Sequence, residues 1–137
     1  MSNWNLSFSE LLVYPDNLQG INIEIILSLG TNLPIAAEVK LDTGSTFCIF
    51  QRHYGELLGL DIESGDPEII RTATGKFIAY GHEITLTVAD LEWTATVYFA
   101  KDENFPVSVV GRVGFLDRLK IGLVDYQQTL YLSSLNE

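Results

Sequence analysis

Apolar and polar residues alternate along much of this chain, which is the pattern of β-strands that bury one face. The alternation is clearest at Leu6 and Phe8 and over residues 21–25, 35–41 and 93–99. A turn composition, Gly30-Thr31-Asn32, separates the run at 21–25 from the run at 35–41. Residues 21–41 are therefore predicted to form a hairpin.

The rest of the chain predicts more strands and two short helices. Apolar residues have helical spacing within residues 51–60 and again around Phe115. Residues 68–88 predict two strands joined by a turn at Thr74-Gly75. Further strands are predicted over 107–110, Ile121–Tyr126 and Thr129–Leu132. Many short strands with regular turn signals are typical of an all-β barrel or sandwich.

The amino-acid composition limits the size of the domain and the kinds of molecule that the protein is expected to bind. A chain of 137 residues, 47% of them hydrophobic, can fill the core of one domain. Its formal net charge of −10 would repel a nucleic-acid backbone and an anionic lipid surface, so neither partner is expected. The polar opening, Met1 to Ser9, lacks the basic start of a secretory signal, and a single cysteine permits no internal disulfide. These features favour a cytoplasmic protein.

The tetrapeptide Asp42-Thr43-Gly44-Ser45 carries the candidate chemistry. It follows an alternating strand and precedes the apolar run Phe47 to Phe50, so its carboxylate is expected at a buried turn. Burying a charge is costly unless the charge has a use. An ordinary turn is the alternative, because all four residues are turn formers. Further along, the glycine of Val109-Val110-Gly111-Arg112 would let a second backbone pass close to the Asp turn.

In this order, the motifs resemble those of the retropepsin-like aspartic peptidases, a family of retroviral proteases and their single-domain cellular and bacterial relatives. The resemblance runs from about Ile21 to Leu132. It implies an all-β fold, a closed acid-protease-like barrel with one or two short helices and an active site at a twofold dimer interface. Residues 21–137 would form the peptidase domain. Residues 1–20 would be an edge strand, a dimer contact or a removable segment.

The same resemblance implies roles for individual residues. Asp42 would be the catalytic carboxylate, with Thr43 locking the two active-site loops together across the dimer. Gly44 would leave room for the substrate backbone, and Ser45 would hydrogen-bond the carboxylate. The hairpin from Ile70 to Tyr80 would be a flap over the cleft, with Gly111 and Arg112 as structural residues near the site. Within the flap, the tip would hold Thr74 and Gly75, and the residues packing over the cleft would be Phe77 and Ile78.

Amide hydrolysis by this route needs two adjacent carboxyl groups, one ionised to take a proton from water and one protonated to hydrogen-bond the scissile carbonyl. The chain has one Asp-Thr-Gly motif, so the second carboxylate would come from an identical copy. The predicted function is an aspartic endopeptidase that acts as a homodimer on an extended peptide or protein, without a metal or cofactor.

Other chemistry is less well supported. The spacings of Cys48, His53 and His82 match no standard metal motif, so structural roles are expected for them. Trp93, Phe99 and Phe115 are expected in the core. The main rival is a catalytically silent peptide- or protein-binding module of the same fold. Two departures from the family keep that rival open: Val113 stands where many relatives have Asp or Asn, and the flap has a single glycine.

Overall fold

The computed structural model describes residues 2–136; Met1 and Glu137, the outer ends of the two predicted segments, lie outside the described residues. Its strands are β1 (Glu10–Val13), β2 (Asn22–Ser28), β3 (Ile35–Leu41), β4 (Ile49–Phe50), β5 (Asp66–Thr72), β6 (Gly75–Val88), β7 (Leu91–Ala100), β8 (Val109–Val110), β9 (Leu119–Val124) and β10 (Thr129–Ser134). One α-helix, α1 (Arg52–Leu57), occurs in this part of the chain, with 3-10 turns at Ile62–Ser64, Leu116–Arg118 and Asp125–Gln127.

Seven of the strands form one sheet in the order β2-β3-β8-β4-β7-β6-β5. A further pairing of β2 with β6 closes this sheet into a ring, and β5 extends from β6 as the outer strand of a hairpin. Most pairs are antiparallel, but β3 runs parallel to β8 and β4 parallel to β7. The prediction of a closed, mainly β barrel is confirmed.

The predicted hairpin over residues 21–41 is present as β2 and β3. Ile23 pairs with Val39 and Ile25 with Ala37, and all four side chains are buried. The chain reverses at Gly30, where φ is +55°, a conformation that glycine adopts without strain. Alternation along both strands sends the other residues outward, so one face of the hairpin fills the core.

A second sheet joins strands from opposite ends of the described chain, in the order β1-β10-β9. The predicted strand at Leu6 and Phe8 is wrong, because pairing with β10 begins at Glu10. The second predicted helix is a single 3-10 turn, Leu116–Arg118, and β9 begins at Leu119 directly after it. Tyr14, just beyond β1, is buried in the main core.

The core lies inside the ring and extends under the second sheet. Phe99 and Phe115 are fully buried, and Trp93 is partly exposed and packs against Phe115, so all three belong to the core as expected. Each large apolar side chain removed from water in this way contributes about 1.5–3 kcal/mol. In the described part of the chain, no helix is both long enough and apolar enough to cross a membrane.

Candidate functional site

Asp42 directly follows β3 and is held there by main-chain hydrogen bonds. Its amide donates to the carbonyl oxygen of Val110 at 2.9 Å, and its own carbonyl accepts from the amide of Ser45 at 3.1 Å. The carboxylate oxygen Oδ1 accepts a 3.0 Å hydrogen bond from the Gly44 amide. The side chain is half-buried. The turn thus fixes the position of a carboxylate that solvent can still reach.

A second stretch of backbone crosses this loop at Gly111. A methyl group added at Gly111 would stand 2.3 Å from the carbonyl oxygen of Ser45, so only glycine fits there. The next two amides continue the contact, from Arg112 to the Ser45 carbonyl at 2.9 Å and from Val113 to the Thr46 carbonyl at 2.8 Å. The Asp42 loop is therefore bonded on one side to the segment after β8.

The other residues of the motif do not all behave as expected. The Ser45 hydroxyl donates to the Phe47 carbonyl at 2.7 Å, so the expected hydrogen bond from this hydroxyl to the carboxylate is wrong. Its donor is used to stabilise the loop instead. Thr43 is exposed and makes no side-chain hydrogen bond to residues 2–136. Arg112 is exposed and forms no ion pair with the described residues.

The predicted flap is the hairpin of β5 and β6. Thr72 pairs with Gly75, so Ala73 and Thr74 form the two-residue tip. The predicted turn at Thr74-Gly75 is therefore displaced by one residue. Gly75 opens β6 with φ +155°, and the Thr72 hydroxyl donates to its carbonyl at 3.1 Å. Thr74 lies at the tip and Gly75 directly follows it, and both are exposed.

A cleft of about 630 Å³ lies between this hairpin and the Asp42 loop. Phe77 lines it, but Ile78 does not; Ile78 lines a neighbouring surface pocket with Lys76 and Lys101. Phe77 and Ile78 are successive residues of β6, so their side chains leave the strand on opposite faces. The expectation for Ile78 is wrong. Around Asp42, the cleft is lined by Gly44, Ser45, Thr46, Phe47, Ile49, Ile69, Ile70, Arg71, Thr72, Ala73, Phe77, Phe105 and Val109.

Sequence reasoning missed Phe105, a cleft residue that packs against Phe77. The Phe77 ring packs on the Phe105 ring with centroids 4.9 Å apart, and Phe105 belongs to the connection before β8. The Gln51 side-chain amide holds that connection by donating to the Phe105 carbonyl at 3.1 Å. The sequence did contain a signal for Ile70, because this residue lies in a predicted strand of the flap, where every second side chain faces the same side. None was present for Phe105, whose position depends on contacts distant in sequence.

The surroundings of Cys48, His82 and His53 are consistent with the structural roles expected for these residues. Burial raises the pKa of the Cys48 thiol to about 11, so it is not a thiolate near neutral pH. The His82 ring nitrogen Nε2 lies 2.8 Å from the Ile62 carbonyl oxygen, and the His53 ring packs on Tyr54. Within residues 2–136, no group of three or more His, Cys, Asp or Glu side chains is arranged to hold a metal ion.

Comparison with solved structures agrees with the sequence resemblance. The crystal structure of a retropepsin-like aspartic protease from Rickettsia conorii superimposes with a TM-score of 0.65, over 91% of this chain and 99% of that chain. The two sequences are 16% identical, so the likeness shows the fold. No family model matches the chain. No curated protein matches it in sequence. The retropepsin-like fold predicted from the motifs is thereby confirmed.

Proposed function

We propose that this chain is an aspartic endopeptidase whose active site forms where the Asp42 loops of two identical copies meet. The observation that carries the proposal is the Asp42 carboxylate, half-buried and fixed by the Gly44 amide at the floor of a cleft that a hairpin covers. A turn that merely reversed the chain would need neither the cleft nor the flap. The fold shared with a known aspartic protease supports this reading.

The chemistry requires two carboxyl groups in different protonation states. The ionised one takes a proton from a water molecule, and the resulting hydroxide adds to the scissile carbonyl carbon. The protonated one donates its hydrogen to the carbonyl oxygen as that oxygen becomes negative. A proton then passes to the peptide nitrogen and the carbon–nitrogen bond breaks. Two carboxyl groups a few ångströms apart resist double ionisation and so keep the single proton that this cycle needs.

One copy supplies half of this machinery. Among the described residues that line the cleft, Asp42 is the only acid. Thr43 next to it is exposed, with a hydroxyl free to bond a second loop. We therefore propose a homodimer with Asp42 and Thr43 at its twofold axis, an isologous arrangement in which each residue meets its own counterpart.

The cleft suits an extended peptide. Its lining is mostly apolar: Ile70 and Phe77 are cross-strand partners in the flap, and Phe47, Ile49 and Phe105 also line the cleft. A peptide lying between flap and floor can pair its main chain with strand edges while its side chains enter apolar pockets. We propose no nucleic-acid or membrane partner for a chain of net charge −10, and a cytoplasmic location in keeping with one buried, unpaired cysteine.

A non-cleaving peptide binder is the second candidate. It is favoured by Arg112, which has no ion-pair partner among the described residues, and by the Ser45 hydroxyl, which does not support the carboxylate. Both features would be tolerated in a protein that holds peptides without reacting. The two candidates share the dimer and the cleft but differ in the need for an ionisable group at position 42.

Asp42→Asn separates the candidates, because Asn preserves the shape of Asp but exchanges no proton. We expect the variant to lose cleavage of a mixed peptide library between about pH 4 and 7, around the usual Asp pKa. Asp61→Asn is the matched control, since Asp61 is exposed and caps no helix with its side chain. Cleavage that survives Asp42→Asn would refute the catalytic assignment. A wild type that retains peptides but cuts none would favour the binder.

A further inference from the structure

We propose that Trp93 and Asp117 are positioning residues for the Asp42 carboxylate, acting through the segment Gly111–Gly114. The inference rests on the proposed function and assigns this role to two residues outside the cleft. It starts from the loop of Asp42, which has three main-chain hydrogen bonds to residues 110–113. Whatever holds that segment in place also holds the carboxylate.

The segment is not part of an extensive ladder. Strand β8 ends at Val110, and beyond it only an isolated bridge pairs Val113 with Phe47. At Gly114 the chain reverses with φ +101°. Regular strand pairing therefore does not explain why residues 111–114 keep their position.

Two side chains bond both polar groups of Gly114. The Trp93 indole Nε1 donates to the Gly114 carbonyl at 2.8 Å, and the Gly114 amide donates to the Asp117 carboxylate oxygen Oδ1 at 2.9 Å. Gly114 is buried, so losing either partner would leave a polar group without a bond or water. We call this pair of hydrogen bonds the Gly114 clamp.

The clamp connects the Asp42 loop to strand β7 and to the 3-10 turn Leu116–Arg118. Trp93 is on the ten-residue strand β7, and its ring packs edge-on against the buried Phe115 ring at 5.7 Å between centroids. The backbone of Asp117 also bonds to the segment, because its amide donates to the Arg112 carbonyl at 2.9 Å. The clamp thus occupies the neighbourhood of Val113, where the sequence lacks the polar residue found in many relatives.

Displacement of the loop would have a particular kinetic signature. Both copies carry the same clamp, so any displacement affects the two Asp42 carboxylates at once. If they move apart, they interact less and hold their shared proton over a narrower pH range. The bell-shaped profile of kcat against pH would narrow. Neither Trp93 nor Asp117 lines the cleft, so KM should change little.

The experiment compares matched substitutions in the full-length dimer. Trp93→Phe removes the N–H but keeps an aromatic ring, and Trp4→Phe is its control because Trp4 is 93% exposed. Asp117→Ala removes the acceptor, and Asp117→Asn retains an oxygen at that place. We expect Trp93→Phe and Asp117→Ala to lower kcat by roughly tenfold or more and to narrow the pH profile, since small misplacements of reacting groups are costly. Trp4→Phe and Asp117→Asn should resemble the wild type.

Amide hydrogen exchange tests the clamp without relying on activity. Exchange at Asp42, Arg112 and Val113 should become faster in Trp93→Phe and stay unchanged in Trp4→Phe. Unchanged exchange, or a lower melting temperature with kcat and the pH profile intact, would overturn the positioning role. If the wild type cleaves nothing, the proposed function fails, and the exchange measurement still decides whether the clamp fixes the Asp42 loop.

Discussion

Gly111 lies against the carbonyl oxygen of Ser45 with no room for a side chain between them, since an added methyl carbon would be 2.3 Å from that oxygen and 2.6 Å from the Phe47 carbonyl oxygen. Both neighbours are backbone atoms and cannot rotate away. The loop that presents Asp42 and the segment that crosses it at Gly111 therefore leave no space for a side chain between their main chains. This contact links the stability of the fold to the geometry of the site.

Gly111→Ala should destabilise the protein and reduce its activity. Overpacking of a filled region typically costs about 1–3 kcal/mol, and here the backbone of the Asp42 loop has to move. Gly30→Ala is a control, because Gly30 has a left-handed φ but nothing within 4 Å of an added methyl group. Both variants should unfold at lower denaturant concentration, but only Gly111→Ala should lose cleavage out of proportion to its folded fraction. Equal activity per folded molecule in the two variants would contradict the link.

Phe77 and Ile78 offer a test of which flap face meets the substrate. Phe77 lines the cleft against Phe105, whereas Ile78 faces outward and is 40% exposed. Phe77→Ala should raise KM by roughly tenfold, the equivalent of about 1.4 kcal/mol of lost apolar contact. Ile78→Ala should leave KM near its wild-type value. Steady-state kinetics on one peptide substrate measures both, and a larger effect at Ile78 would show that the flap closes on its other face.

Mixing active and inactive copies tests the shared site. If each site uses two Asp42 residues, one Asp42→Asn copy silences a dimer, so random pairing at equal amounts leaves about half of the activity per wild-type chain. Asp61→Asn added in place of Asp42→Asn should cause no loss. Samples must be diluted and reconcentrated so that subunits exchange. Activity proportional to the wild-type chains present, with exchange verified by a mass label, would exclude a site made from two copies.

The raised pKa of Tyr14 predicts that the protein loses stability at alkaline pH. Burial, together with the hydrogen bond and negative charge of Asp125, raises the pKa of Tyr14 from 10.0 to about 12. A raised pKa means that the folded state favours the neutral phenol, so this contribution is complete below about pH 10 and disappears as the pH rises through 12. The free energy of unfolding should fall over that interval.

Tyr14→Phe should flatten part of this alkaline fall, while Tyr126→Phe, at a residue that is 99% exposed, should not. Denaturant unfolding at a series of pH values measures each slope. Cys48, with its pKa raised to about 11, contributes equally to all three proteins and cancels in the comparison. Identical slopes in wild type and Tyr14→Phe would rule out Tyr14 as a source of the effect.

The local pattern of apolar and polar residues was sufficient to predict much of the barrel. Alternation in β2, β3 and β7 reflects one buried face, and a buried face is a property that each strand shows in its own residues. The Asp42 motif could be found for a similar reason. It places a charged carboxylate in a turn between two apolar strands, where burial would be costly, and this is visible in the neighbouring residues alone. The close passage at Gly111 was predictable from the need for a residue without a side chain.

Features that depend on register or on distant contacts were not predictable. Phe77 and Ile78 follow each other on β6 and leave it on opposite faces, and the sequence does not tell which of the two faces the cleft. Leu6 and Phe8 have the alternation of a strand, but a strand also needs a partner, and β10 offers one only from Glu10 onward. The role of Phe105 depends on its contact with the flap and on Gln51, which no local pattern encodes.

The pairing of β1 with β10 also has a consequence for how the chain acquires its structure. Glu10 lies opposite Leu132, so the middle strand of the second sheet is among the last described residues to be synthesised, and it joins β1 to β9. Contacts this distant in sequence close large loops and make folding slow. While a ribosome is still adding β10, β1 has no partner and the sheet cannot form. The second sheet is therefore expected to form only once β10 has been made, after all the strands of the seven-stranded sheet have been synthesised.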